Sequence, residues 1–201
     1  LERKGLDLEI KKSIYDQIKR IEKKGITIKP ISFPYLEYLV PTYYVITTAE
    51  ASSNLSRYDG VHYGYRSKKA IDLETTYIKS RTEGFGKEVK RRIMVGNFVL
   101  KSEYHESYFS KAQKIRKIIQ EKTHEIFTKV DFILTPTTPH TAFDIDKKNT
   151  DPTTMYLEDI FTVQANLAGI PAISIPIGEH SNKMPFGIQL MGKPFKEKEL
   201  L

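Results

Sequence analysis

Residues 7–34 read DLEIKKSIYDQIKRIEKKGITIKPISFP. Ile10, Ile14, Ile18 and Ile21 recur at helical spacing, so Asp7 to Lys24 is expected to be a helix with one apolar face. Gly25 is a natural stop, because glycine enters the left-handed backbone of a helix terminus without a Cβ penalty. The segment ITIKPISF then alternates along one face and closes at Pro34, which predicts a short strand. Helix, glycine and β-branched strand in that order make an αβ unit.

The alternation continues outward from that unit. Residues 34–56 are apolar, aromatic and small, and are expected to be helical. The loop YDGVHYGYRSK follows, then a short helix over Glu74–Ser80. A long helical stretch is expected from Lys87 to Lys129, interrupted near Tyr104. VDFILT reads as a buried strand stopped by Pro136. Asp151-Pro152 starts a helix that runs to Gly169, with Asp as cap and Pro in the first turn. AISIPIG and FGIQLMG are two further strands. This order of elements points to an α/β fold. There is no internal repeat and no clear linker, and FDIDKKNTD is the candidate mobile loop.

Composition narrows the class. Of 201 residues, 39% are hydrophobic and 28% charged, the range of a globular domain. No apolar run approaches the roughly 18–20 residues of a membrane span. The absence of cysteine removes disulfides, thiolate nucleophiles and thiolate metal sites, and fits a reducing, cytoplasmic setting. The net charge of +7 comes mainly from lysines on helices such as KKSIYDQIKRIEKK and KAQKIRKIIQEK, which read as solvated faces. A polyanionic partner nearby is compatible with it. The start, LERKGLDLEIKK, and the end, KPFKEKELL, read as cuts in a longer chain, with a processed N-terminus as the alternative.

Two runs resist a packing explanation: AEASSNLSRYDG (Ala49–Gly60) and RTEGFGKEVKRRI (Arg81–Ile93). Each mixes glycine, small polar residues and both charges, as a surface shaped for a polar ligand or partner would. The chain contains no G-x-S-x-G elbow, P-loop or G-x-G-x-x-G. His62, His105, His124, His140 and His180 show no metal-binding spacing and read as surface or hydrogen-bonded histidines. Ser52-Ser53 has no glycine-rich turn to present a nucleophile and reads as structural. Asp159 has Met155, Tyr156, Thr162 and Val163 as helical neighbours, so its carboxylate is expected to face the protein and to need a cation. Arg92 neighbours Val89, Val95 and Gly96 and faces inward, whereas Arg91 sits beside Lys87 and Glu88. Gly96 would leave room beside the Arg92 guanidinium. Two readings stay open: Arg92 and Asp159 form a structural ion pair, or they share a zwitterion, guanidinium to carboxylate and carboxylate to ammonium. Tyr43 is a packed aromatic or a pocket wall with a hydroxyl.

With these residues in place, the chain resembles the amidase signature family. PTYYVITTAEASSNLSRYDGVHYGYRS, TEGFGKEVKRRIMVGNFVLKSEYHESYFSKAQKIR, DFILTPTTPHTAF, DPTTMYLEDIFTVQANLAGIPAISIPIG and PFGIQLMGKPF carry the likeness. The first two are specific to its glutamine-dependent amidotransferase branch. The resemblance implies a mixed β-sheet core covered by helices on both sides, with residues 1–201 as the C-terminal portion of a single domain. It implies catalysis by a Ser–cis-Ser–Lys triad in an N-terminal Gly/Ser-rich signature. No such stretch occurs here, so no catalytic residue is assigned to this chain, which alone is expected to be inactive. What carries over is a glutamine pocket: Arg92 for the α-carboxylate, Asp159 for the α-amino group and Tyr43 as a substrate contact. The implied activity is glutamine hydrolysis supplying ammonia to partner subunits B and C. There ATP and Mg²⁺, neither held by this chain, serve amidation of Glu-tRNA(Gln), which binds mainly through the partner. Another amidase-signature hydrolase, or a non-catalytic module binding a partner or RNA, are the alternatives.

Overall fold

Asp7 begins the first helix as its position predicts. Its carboxylate accepts from the backbone N–H of Glu9 (2.8 Å) and Ile10 (3.1 Å), satisfying two of the donors that a helix N-terminus leaves open. Helix α1 spans Leu8–Glu22, buries Ile10 and Ile14, and is followed by Gly25 at φ +85°. The computed structural model describes residues 5–145 and 152–201. The chain divides into two compact units, one made of Leu1–Val40 with Arg116–Leu201, the other of Pro41–Ile115.

ITIKPISF is not a strand. It enters no ladder among the described residues, and Ile26 and Ile31 remain exposed. Pro30 inside it has no N–H to donate, so the alternating pattern lacks a continuous ladder edge.

In the first unit the sheet has the order β1-β3-β2, with β1 at Ile133–Pro136, β2 at Ala172–Glu179 and β3 at Pro185–Met191. Both pairings are antiparallel, and Ile133 and Ala172 both stand opposite Met191. The central strand carries a buried polar residue, Gln189, whose amide donates to Thr135 Oγ1 (3.1 Å) and to the Phe161 carbonyl (2.9 Å). A core of Phe127, Ile133, Ala165, Ala168, Ile170 and Met191 packs around this sheet. Helix α1 packs on β2, and Glu9 accepts from the Ser181 N–H at the hairpin tip.

The helix expected over Asp151–Gly169 is two helices, α7 at Pro152–Leu157 and α8 at Val163–Ala168. Between them, the N–H groups of Glu158, Asp159 and Ile160 each bond three residues back. The Asp159 carbonyl then accepts from the Thr162 and Val163 N–H groups and from the Thr162 hydroxyl. Such side-chain competition for a carbonyl loosens a helix. Gly169, at φ +69°, closes α8 in the left-handed conformation. The expected cap, Asp151, and the loop expected at 143–151 lie outside the described residues, the loop from position 146 onward.

The second unit is helical. Helix α2, Leu36–Leu55, belongs to both units, and its buried residues include Leu39, Thr42, Ile46, Ala49 and Ser52, one face at helical spacing. Helix α3 spans Leu73–Gly84, longer than the expected Glu74–Ser80. Its Asp72–Thr75 capping box explains the start. The long helix from Lys87 breaks as expected: α4 is Lys87–Leu100, α5 is Ser102–His105, a π-helical turn covers Glu106–Ser110, and α6 is Lys111–Ile126. A stacked and edge-on cluster of Phe98, Tyr104 and Tyr108 surrounds the break. Lys111, Lys114 and Lys117 on α6 are exposed while Ala112, Ile119 and Thr123 are buried, the solvated-lysine face that the sequence implied. A short helix of the first unit, α9, spans Glu197–Leu200. No helix among the described residues is long and apolar enough to cross a membrane.

The caps carry a pH signature. At Asp7, burial opposes the charge, but the Ile10 and Glu9 N–H groups and nearby His180 and His140 outweigh it and hold the carboxyl below its ordinary 3.8. At Asp72, the Thr75 N–H and hydroxyl hold the carboxyl below 3.8. A carboxyl depressed in the folded state contributes stability that is full above the unfolded value and is lost as pH falls through the folded one. The melting midpoint is therefore expected to be insensitive to these groups above about pH 5 and to fall below about pH 4. Asp7→Asn and Asp72→Asn retain a capping oxygen without the titration, so each should flatten the acid limb in thermal melts across pH. Acid limbs unchanged in both would refute the assignment.

Candidate functional site

The two polar runs meet in the second unit, and much of their polarity is internal. Arg81 Nη1 donates to the Leu55 carbonyl (2.8 Å) and the Tyr58 carbonyl (3.2 Å), capping the end of α2. Glu83 accepts from the Tyr65 hydroxyl and the Ser67 hydroxyl, both at 2.9 Å. The Ser67 N–H donates to Ser80 Oγ (3.0 Å). Arg81 and Glu83 thus hold the tyrosine-rich loop in place, while Glu83 remains exposed.

Ser52 is buried and donates to the Ala49 carbonyl (3.1 Å), so its hydroxyl is spent within α2; Ser53 is exposed on the same helix. Of the histidines, His62, His105, His140 and His180 each lie beside a carboxylate, Asp59, Glu106, Glu158 and Asp7 with Glu9 respectively. No group of three metal-binding side chains occurs among the described residues.

What remains of the second run is a cluster on α4. Glu88, Arg91 and Arg92 are spaced to share one helix face. Arg92 Nε donates to Glu88 Oε1 (3.1 Å), and Arg91 Nη1 donates to Glu88 Oε2. The Arg92 guanidinium lies over the Tyr44 ring, 5.2 Å from its centroid. Tyr44 in turn meets Tyr43 edge to face, with centroids 5.3 Å apart. Such a stack favours a cation and keeps a planar guanidinium oriented. Burial does not separate the two arginines: their side chains are 39% and 35% exposed, and both bond Glu88. The Tyr44 contact distinguishes Arg92, and the pattern of α4 alone does not contain it. Tyr44 and Glu88 are the residues that sequence reasoning passed over. Glu88 had a signal, its i, i+4 spacing to Arg92, whereas Tyr44 had only its adjacency to Tyr43.

Gly96 does not serve the guanidinium. A Cβ there would lie 2.0 Å from the Thr48 carbonyl oxygen and 2.6 Å from the Ser52 Cβ. The missing side chain lets α4 approach the α2 backbone, which fixes Arg92 against Tyr44.

Asp159 belongs to the first unit, in the turn between α7 and α8, half-buried. The structure thus joins Tyr43 and Arg92 through Tyr44 within one unit and sets Asp159 at the break of the helix expected to carry it. Two cavities lie elsewhere, one of about 260 Å³ beside Thr137, Ser174 and Phe186, the other of about 370 Å³ beside Asn54, Arg57, Tyr58 and Tyr63. Neither is lined by Tyr43, Arg92 or Asp159.

Known proteins resemble this chain throughout. The family model described as Amidase matches residues 1–201. Among curated relatives, the A subunit of glutamyl-tRNA(Gln) amidotransferase from a Sulfurihydrogenibium species is 53% identical over 98% of this chain and 40% of its own length. The protein of that name from Fusobacterium nucleatum is 51% identical over the same shares. Among solved structures, the A subunit of the Thermotoga maritima glutamyl-tRNA(Gln) amidotransferase matches with a TM-score of 0.69 and 40% identity, covering 96% of this chain and 37% of that one. A crystal structure of an amidase matches with a TM-score of 0.73 at 17% identity, over 98% of this chain and 40% of that one, a likeness of fold. The chain thus spans about 40% of the length of the curated relatives it matches, and its fold is that of the C-terminal portion of an amidase-signature protein.

Proposed function

Because the chain belongs to the amidase family across all of its residues, we propose that it is the C-terminal portion of a single amidase-signature domain, in the A subunit of a glutamine-dependent amidotransferase. The observation that carries this reading is the identity of 53% over nearly the whole chain to a relative of that name, against 17% to an amidase of the same fold. In the full-length protein, glutamine is hydrolysed at a Ser–Ser–Lys site built from residues outside this stretch. The released ammonia is used by partner subunits B and C, with ATP and Mg²⁺, to convert Glu-tRNA(Gln) to Gln-tRNA(Gln) in the cytoplasm. Within this stretch, Arg92 takes the α-carboxylate of glutamine, Asp159 its α-ammonium and Tyr43 lines the pocket. The Tyr44 stack supports Arg92 in that role, because it presents a planar fork to a carboxylate.

The test is amidation of Glu-tRNA(Gln) by the full-length protein with its partner subunits, ATP and Mg²⁺, with glutamine as nitrogen donor. Failure to form Gln-tRNA(Gln) under conditions that support the Fusobacterium protein would overturn the reading. The 201 residues alone are expected to release no ammonia from glutamine, since Ser52 is buried and internally bonded and no serine–lysine relay is assigned to them. Turnover that survives repurification, and that Ser53→Ala abolishes, would reveal a nucleophile within them.

A further inference from the structure

We propose that the cleft of about 370 Å³ beside Asn54, Arg57, Tyr58 and Tyr63 binds an unstacked nucleotide, its base on the tyrosine rings and its phosphate on Arg57. These residues lie at the end of the first polar run and in the loop after it. They take no part in the proposed glutamine pocket, so the site is independent of that reading. The volume falls within the roughly 300–1,000 Å³ of small-ligand clefts. The lining side chains are one cation, one amide and two phenols. No aliphatic group lines the cleft to anchor the apolar side chain of a protein partner. Tyr58 and Tyr63 are 46% and 62% exposed, with ring centroids 6.2 Å apart and planes 39° apart, so they splay and do not stack on each other. Exposed aromatic rings beside a guanidinium suit an unstacked base, because every base has a π-face.

Charge selects the phosphate. Arg57 Nη2 donates to Asn54 Oδ1 (2.9 Å), and a bond to an uncharged group leaves the positive charge in place. Across residues 57–69, Arg57, Arg66, Lys68 and Lys69 stand against one carboxylate, Asp59. Asp59 is committed within the loop: it accepts from the Val61 N–H (2.7 Å) and the His62 N–H (2.8 Å), and lies 2.8 Å from His62 Nδ1. With Glu83 of α3 set against Lys69 (3.9 Å), the balance around the rings stays positive and attracts an anion. The loop also holds its rings in advance. The Gly60 N–H donates to the Tyr63 carbonyl (3.0 Å), and Arg81 holds the Tyr58 carbonyl. Gly64, at φ +83°, backs the Tyr58 ring, where a Cβ would lie 3.1 Å from Cδ1. Rings fixed before binding lose little freedom when a base docks.

The experiment uses the full-length protein in its complex and a labelled uridine decamer carrying photoreactive thiouridine, a strand without base-paired structure. Crosslinking to peptides of residues 57–69, titrated against the decamer, reads this site apart from any other. Thermal midpoints and sedimentation report fold and assembly. Saturable crosslinks at Tyr58 or Tyr63 are expected. Arg57→Ala should weaken the titration about tenfold and lower its log–log salt slope by about 0.7, the share of one phosphate on a single strand. Arg57→Lys should keep the slope. Tyr63→Leu should weaken binding about tenfold and Tyr63→Phe less than about twofold, because phenylalanine keeps the ring. Glutamine hydrolysis should be unchanged in all four. Displacement of the decamer by uridine monophosphate at similar concentration assigns the site to a free nucleotide; displacement by longer RNA only assigns it to a strand. Crosslinks confined to other segments, or wild-type titrations in both Arg57→Ala and Tyr63→Leu, would overturn the proposal. So would unchanged RNA binding with loss of the partner subunits on sedimentation, which would make the cleft a protein interface.

Discussion

Arg92→Lys in the full-length protein is expected to lower kcat/KM for glutamine by about 2–4 kcal/mol, on the order of 30- to 1000-fold, while sparing ammonia-driven amidation. The physical reason lies in the shape of the group. Arginine offers a planar fork that meets both oxygens of a carboxylate, and lysine offers a point charge on a flexible stem. The substitution keeps the charge but loses the Nε bond to Glu88 and the guanidinium's contact over the Tyr44 ring. Asp159→Asn should behave alike at the other end of the amino acid, because an amide cannot pair with an ammonium as a carboxylate does. Neither variant touches the nucleophile, so ammonia supplied from solution should bypass both. The measurement compares glutamine- and ammonia-driven amidation in each variant. Loss of both activities to the same extent would return Arg92 and Asp159 to a structural role.

Gly96→Ala should be among the most destabilising single changes in the second unit. A helical glycine replaced by alanine ordinarily gains about 1 kcal/mol from propensity. Here the new Cβ would sit 2.0 Å from the Thr48 backbone oxygen, a contact no rotamer change can relieve. Overpacking of this kind costs about 3 kcal/mol at the upper end of its usual range, so the clash outweighs the propensity. The net cost of about 2 kcal/mol corresponds to a fall in melting midpoint of about 4–8 °C for a chain of this size. Met94→Ala, on the exposed face of the same helix, is the control and should stay within about 0.5 kcal/mol of wild type. Because Gly96 sets the distance between α2 and α4, Gly96→Ala should also weaken glutamine use by moving Arg92 from Tyr44. A midpoint within about 2 °C of wild type would mean that the two helices separate cheaply, unlike the elements of a close-packed interior.

By itself the sequence determined the elements whose patterns are local: α1 from its isoleucine spacing and capping Asp7, the stop at Gly169, the interruption near Tyr104, and the strands of residues 172–179 and 185–191. It also raised Arg92 and Asp159 as candidates from charges set among apolar helical neighbours, while the substrate role of Tyr43 entered through the family resemblance. The tertiary structure alone decided the rest. ITIKPISF has a strand's alternation, yet a strand exists only with a partner, and Pro30 interrupts its donors. The helix over 152–168 has an unbroken apolar period, yet the Asp159 carbonyl draws three donors and divides it. Arg91 and Arg92 are nearly equal in exposure, and the contact of Arg92 with a ring from α2 is one that its spacing along α4 does not announce. Gly96 reads as space for a side chain and serves instead as the contact point of two backbones. Periodicity records that a residue is covered; which residue covers it depends on contacts between segments far apart in sequence, and those exist only once the chain has folded.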